Sequence, residues 1–196
     1  MMARRLSASM ATLLRRPARL LVLALGLALA ACTTAAPPSY SGTIDNIRTL
    51  DTLPQGKVSL GPFTSKGSVG DSMTIRASTF EAPNKGSFAD YLKSALQAEL
   101  VSDGRFDATA QVVISGELLA NVVNADIGTG TAHVSARFVV ARSGTTVYDK
   151  VLNSDTQWES SFIGAIAIPL ARQQYVDAVK KLIGNLFNDP DFRRAF

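Results

Sequence analysis

The sequence is poor in the residues that usually carry chemistry, with one cysteine, one histidine and one tryptophan among 196 residues. A lone cysteine cannot close an intramolecular disulfide, so the fold must be held by its core. One cysteine and one histidine are too few for a His/Cys zinc cluster, and a Ser-His-Asp arrangement would have to use His133. Long apolar runs are missing too. The run from Leu20 to Ala30 has 11 residues, whereas a helix needs roughly 20 to cross a bilayer. Internal repeats are absent, which argues against a solenoid. The carboxylates Asp45, Asp51, Asp71, Glu81, Asp90, Glu99, Asp103, Asp107, Glu117 and Asp126 show no spacing that sets two acids across a substrate.

What is present begins at the N-terminus. Residues 1–31 combine a basic stretch (Arg4, Arg5, Arg15, Arg16, Arg19), an apolar stretch and small residues before Cys32, the three parts of a secretory signal. Met10 opens a more compact version of that signal and is an alternative start to Met1 or Met2. The arginine pairs do not sit in the fuller twin-arginine motif. Removing the segment changes the charge argument. The whole chain is +4, but five arginines and no acid precede Cys32, so the chain from Cys32 onward carries 15 basic and 16 acidic residues, net −1. A nucleic-acid footprint needs a basic face, and the only adjacent basic pairs left are Lys180-Lys181 and Arg193-Arg194.

Leu29-Ala30-Ala31-Cys32 resembles the lipobox of bacterial lipoproteins, Leu-[Ala/Ser]-[Gly/Ala]-Cys. The resemblance implies peptidase recognition through Leu29, Ala30 and Ala31, and acylation of Cys32 as the new first residue. Thr33 rather than Asp follows the cysteine, which by the same resemblance implies the outer membrane of a Gram-negative cell. The alternative is an ordinary signal cut after Ala28-Leu29-Ala30, leaving a free thiol. Acylation would decide location, because one chain binds a membrane reversibly and several on one residue hold it firmly.

Residues 32–56 open with Thr33-Thr34-Ala35-Ala36-Pro37-Pro38-Ser39 and read as a lipidated flexible tether, with a reach of about 27 Å if wholly disordered. Residues 57–196 then read as one domain. Lys57–Phe63 and Ser72–Ser78 look like short strands. Ser87 and Asp90 make a capping-box-like start to a helix whose stripe is Phe88, Tyr91, Leu92, Ala95, Leu96 and Leu100. Val112, Ile114, Gly116, Leu118, Ala120 and Val122 share one face of a strand, and Ala132, Val134, Ala136, Phe138 and Val140 one face of the next. Gly128-Thr129-Gly130 reads as the hairpin turn between them rather than a phosphate loop, since no Gly-Lys-Ser/Thr follows. Arg142–Thr145 turns into a third strand, Thr146 to Leu152, which Ser154 to Trp158 can extend. A second helix runs from about Pro169, suited to a first turn, to Phe187. His133 falls on the polar face of its strand, as a surface histidine.

The pattern implies an α+β domain, a largely antiparallel sheet with two helices packed on one face. The Ser87–Asp103 helix, the Gly144–Lys150 hairpin, and the tail from Phe162 through Pro169 to Phe192 resemble YajG-like lipoproteins. They also resemble the α/β domains of curli-secretion CsgG-like and TolB N-terminal type. The resemblance implies a non-enzymatic accessory or assembly factor for another envelope protein, attached to the membrane through acylated Cys32, with homo-oligomers known among such domains. No cofactor, metal or nucleic acid is expected. The alternative is a lipid- or glycan-binding auxiliary of an envelope transport system, which requires an apolar pocket between helices and sheet. The run Phe162–Ala171 is the most apolar stretch after Cys32. Core packing is its simpler reading; where exposed, Trp158, Phe162, Ile163 and Ile166 are the candidate contact for a partner or lipid, with the sheet edge as a second surface.

Overall fold

Alternating apolar positions after Val112 and two apolar stripes at helical spacing set the layers of the domain. The computed structural model describes residues 36–195, so Leu29, Ala30, Ala31 and Cys32 lie outside the described residues. In chain order the elements are α1 (Ile44–Asp51), β1 (Val58–Ser65), β2 (Ser72–Ile75), β3 (Ser78–Glu81), α2 (Phe88–Ser102), β4 (Val112–Asn124), β5 (Gly128–Arg142), β6 (Thr145–Ser160), α3 (Gly164–Asn188) and α4 (Pro190–Ala195). The main sheet has the order β1-β4-β5-β6, and β2 and β3 form a separate hairpin. β4, β5 and β6 are antiparallel, whereas β1 lies parallel to β4. The α+β expectation therefore holds, with one parallel edge. A parallel neighbour requires a crossover, and the β2–β3 hairpin and α2 supply it.

α2 and α3 cover one face. The Ser87 hydroxyl accepts from the Asp90 amide at 3.0 Å, and the Asp90 carboxylate accepts from the Ser87 amide at 3.1 Å. This reciprocal cap contributes about 1 kcal/mol and starts the stripe where the sequence places it. Ile114, Leu118, Phe138, Val140, Leu92, Leu96, Leu182 and Ile183 fill the space between sheet and helices. At one end Phe80 on the hairpin closes over Phe88 and Tyr175, with ring centroids 5.4–5.7 Å apart. Phe192 on α4 closes the other end against Tyr148 and Phe187.

Four expectations are corrected. First, the chain folds well before residue 57: Leu50 and Leu53 are buried, and Asn46 is buried with them, so the flexible-tether reading fails for the stretch that carries α1. Second, Val122 is exposed and Val123 buried, because the β4–β5 register shifts between Leu118 and Ala120. One extra residue in a strand inverts every side chain beyond it. Third, α3 begins at Gly164 and holds Pro169 inside it. Burial of Ala167 and Ala171 draws these residues into the helix despite the amide that Pro169 lacks. Fourth, Gly128 and Gly130 belong to β5 rather than to its turn. Gly130 lies opposite Trp158, and a Cβ there would overlap the indole ring. Gly116 receives the Phe63 ring in the same way.

Candidate functional site

Four of the exposed large apolar side chains among the described residues lie where the β4–β5 turn meets the β6–α3 connection and the start of α3. Phe162, Ile163 and Ile166 are 73%, 44% and 54% exposed, and Ile127 in the turn is 73% exposed. The pairing of Gly128 with Ser160 brings the two loops side by side. Arg76, at the tip of the β2–β3 hairpin, fastens them. Its guanidinium donates to the carbonyl oxygens of Ala125 at 2.7 Å, Ser161 at 2.5 Å and Phe162 at 3.0 Å. Arg76 adopts φ +54°, a left-handed conformation that costs about 1 kcal/mol or more for a side chain of this kind. The three bonds hold it there. Trp158 departs from the group: it points to the helix side, half-buried against the core. Of the apolar run 162–171, Ala167 and Ala171 are core and Ile168 packs against it, while Phe162, Ile163 and Ile166 face out.

A second surface is the sheet face away from the helices. Val147 and Val151 are about half exposed there, and Arg137 pairs with Asp149 through two bonds at 2.6 and 2.5 Å. The guanidinium holds the Asp149 carboxyl below the usual carboxylate range. A groove of about 200 Å³ runs between Pro62, Thr64, Glu117, Arg137 and Val139 on this face. The sheet edges are less open than the sequence implies. Lys181 and Asn185 of α3 donate to the Asp155 and Asn153 carbonyls along the outer side of β6, and Val58 of β1 exchanges backbone bonds with Arg105 and Asp107. Side chains and loops that occupy edge carbonyls and amides guard against strand addition.

His133 Nδ1 lies 2.8 Å from Asp155 Oδ1 on the exposed side of the sheet. Among the described residues no group of three His, Cys, Asp or Glu side chains is placed to hold a metal ion. No helix of the described residues is long and apolar enough to cross a membrane. The region between helices and sheet, where a lipid-binding pocket was expected on the alternative reading, is filled by Phe80, Phe88, Phe138 and Tyr175. A groove of about 560 Å³ lies outside it, between Pro37, Tyr40, Pro83, Asn84, Tyr91 and Ser94.

Two buried charges were missed by sequence reasoning. Glu99 is fully buried on α2 and gathers the start of the domain. Its carboxylate accepts from the Tyr40 hydroxyl at 2.6 Å, the Thr43 amide at 2.9 Å and the Asn46 side-chain amide at 2.8 Å. Burial, then the bond to Glu99, pushes the Tyr40 phenol well up. Arg105 closes the other end of α1, donating to the carbonyls of Leu50, Leu53 and Pro54 at 2.8, 3.2 and 2.6 Å, where a helix end leaves acceptors unserved. Its Nε bonds Asp103 at 2.5 Å; burial nevertheless pushes the Asp103 carboxyl up. Glu99 carries a legible signal, since it interrupts the stripe of Ala95, Leu96 and Leu100. Upstream of α1, Arg172 on α3 donates to the Ala36 carbonyl at 2.7 Å and the Tyr91 hydroxyl to the Pro38 carbonyl at 3.1 Å.

No protein-family model matches the sequence, and no curated protein matches it. Solved structures are similar to it to differing degrees. A Xanthomonas campestris protein of the family DUF330 superposes with a TM-score of 0.55 at 12% identity, over 78% of this chain and 93% of that one. A minor lipoprotein from Acinetobacter baumannii gives 0.41 at 11% identity, over 73% and 96%. A lipoprotein from Neisseria meningitidis gives 0.33 at 13% identity, over 67% and 99%. The chain is thus similar in fold to the Xanthomonas protein, and that likeness concerns the fold alone.

Proposed function

We propose that this chain is a lipoprotein acylated at Cys32, facing the periplasm from the outer membrane, and that it serves as a non-enzymatic accessory or assembly factor for an envelope protein complex. The observation that carries the accessory reading is the division of the sheet. Its helix side is filled with side chains, while its other face is bare and presents Val147, Val151 and the Arg137–Asp149 pair to solvent. A half-apolar face with a central charge pair suits a protein partner, which can cover the valines and match the charges. A carrier would need a cavity, and the core offers side chains in its place. The anchor is supported by Leu29-Ala30-Ala31-Cys32 and the preceding export signal.

The test is crosslinking in cells followed by affinity purification from detergent-solubilised membranes, comparing wild type, Cys32→Ser and Val147→Lys/Val151→Lys. One recurring envelope protein that is lost in both variants supports the reading. Recovery of lipid or glycan with no protein partner overturns it in favour of a carrier.

A further inference from the structure

We propose that Phe162, Ile163, Ile166 and Ile127 form a membrane-contact face, laid on the lipid surface to which Cys32 is attached. The inference rests on the acylation proposed above and adds where the domain sits. Residue 36 is already fixed on the folded body through Arg172. Only four peptide links separate it from Cys32, a span of at most about 14 Å. Arg172 lies six residues beyond Ile166 on α3, a rise of about 9 Å along the axis. Residue 36 and the exposed apolar cluster are therefore both held beside the N-terminal half of α3. With α1 held by Glu99 and Arg105, the length needed to hang clear of the membrane is used up in the fold.

Three features of the cluster suit a lipid surface. Its side chains are aliphatic or phenyl, without the hydrogen-bonding groups that a specific protein contact would bring. They come from the β4–β5 turn, the β6–α3 connection and the first turn of α3, with the turn and the connection locked together by Arg76, which gives a firm platform. The bare sheet face extends away from the cluster: Val147 lies 13 residues from Ser160 along β6, roughly 40 Å at strand rise. The same placement would hold the partner-binding face out in the periplasm.

The experiment uses the full acylated chain carrying Ile166→Cys, or Val147→Cys as control, labelled with an environment-sensitive fluorophore in vesicles of phosphatidylethanolamine and phosphatidylglycerol. Acylation consumes the Cys32 sulfur, so each variant should take one label and wild type none. The proposal expects blue-shifted emission and quenching by spin-labelled acyl chains at position 166, with neither at position 147. A position-166 probe that stays quenchable by aqueous iodide, on protein that floats with the vesicles, overturns the proposal alone. A probe shielded from iodide but untouched by the lipid quencher also overturns it, because protein then covers the cluster. A second label per chain together with loss of flotation overturns the acylation reading itself.

Discussion

Replacing Glu99 should release the first helix without unfolding the rest. In Glu99→Ala the Tyr40 hydroxyl, the Thr43 amide and the Thr43 hydroxyl lose their acceptor, while the Asn46 side chain keeps a bond to the Lys180 carbonyl at 3.2 Å. Three stranded donors cost about 1–3 kcal/mol each, so about 3–9 kcal/mol in all. Opposing release, Leu50 and Leu53 are held in the core by about 1.5–3 kcal/mol each. The two terms are of the same size, so α1 should move from firmly docked to near balance. Native-state hydrogen exchange reads this directly. Protection of the α1 amides should fall by roughly 140-fold or more, the factor for about 3 kcal/mol, while β4 and β5 keep theirs. Glu99→Gln retains one acceptor oxygen and should lose about 1–2 kcal/mol. Unchanged α1 protection in Glu99→Ala would refute the clamp.

Arg76→Ala removes three bonds to carbonyls and keeps the strained backbone, so it should destabilise by about 2–4 kcal/mol in urea melts; Arg76→Gly relieves the left-handed φ and should be milder by about 1 kcal/mol. Equal losses would show that the φ of +54° carries no strain. Gly130→Ala forces a Cβ into the Trp158 ring and should cost about 1–3 kcal/mol, with a shift in the emission of Trp158, the sole tryptophan. An unshifted spectrum would remove the indole from that strand. All four tyrosines, Tyr40, Tyr91, Tyr148 and Tyr175, have phenols pushed up chiefly by burial. Their stabilising effect is complete below the unfolded value near 10 and declines as pH rises above it, by about 1.4 kcal/mol per pH unit for each. Tyrosinate absorbance should therefore appear together with unfolding, and gradual titration of the folded protein from about pH 10 would contradict the burial.

Periodicity made α2, α3 and the β4–β5–β6 meander legible, because each buries an apolar stripe or face close to its own neighbours in sequence. The Ser87–Asp90 cap was readable for the same local reason. What escaped depends on distant partners. α1 has few apolar residues and is held by Glu99 and Arg105, some 50 residues further on, so its sequence looks like a linker. The β4 bulge flips Val122 and Val123 with no signal in the apolar pattern. Of the candidate contact residues, Phe162, Ile163 and Ile166 come together on the surface, while Trp158 is drawn under the sheet by the space above Gly130. Arg76 gave no sign of its role, because a lone arginine between two short strands names none of the carbonyls it will meet.

Attachment through Cys32 underlies both the proposed location and the proposed seating of the domain. Intact-mass spectrometry of the protein extracted from membranes in detergent measures it in one step, with Cys32→Ser for comparison. The expected result is a chain that begins at Cys32 and carries acyl groups there, and no such species from the variant. An unmodified chain, or one cut at another position and released with the soluble envelope fraction, would contradict it.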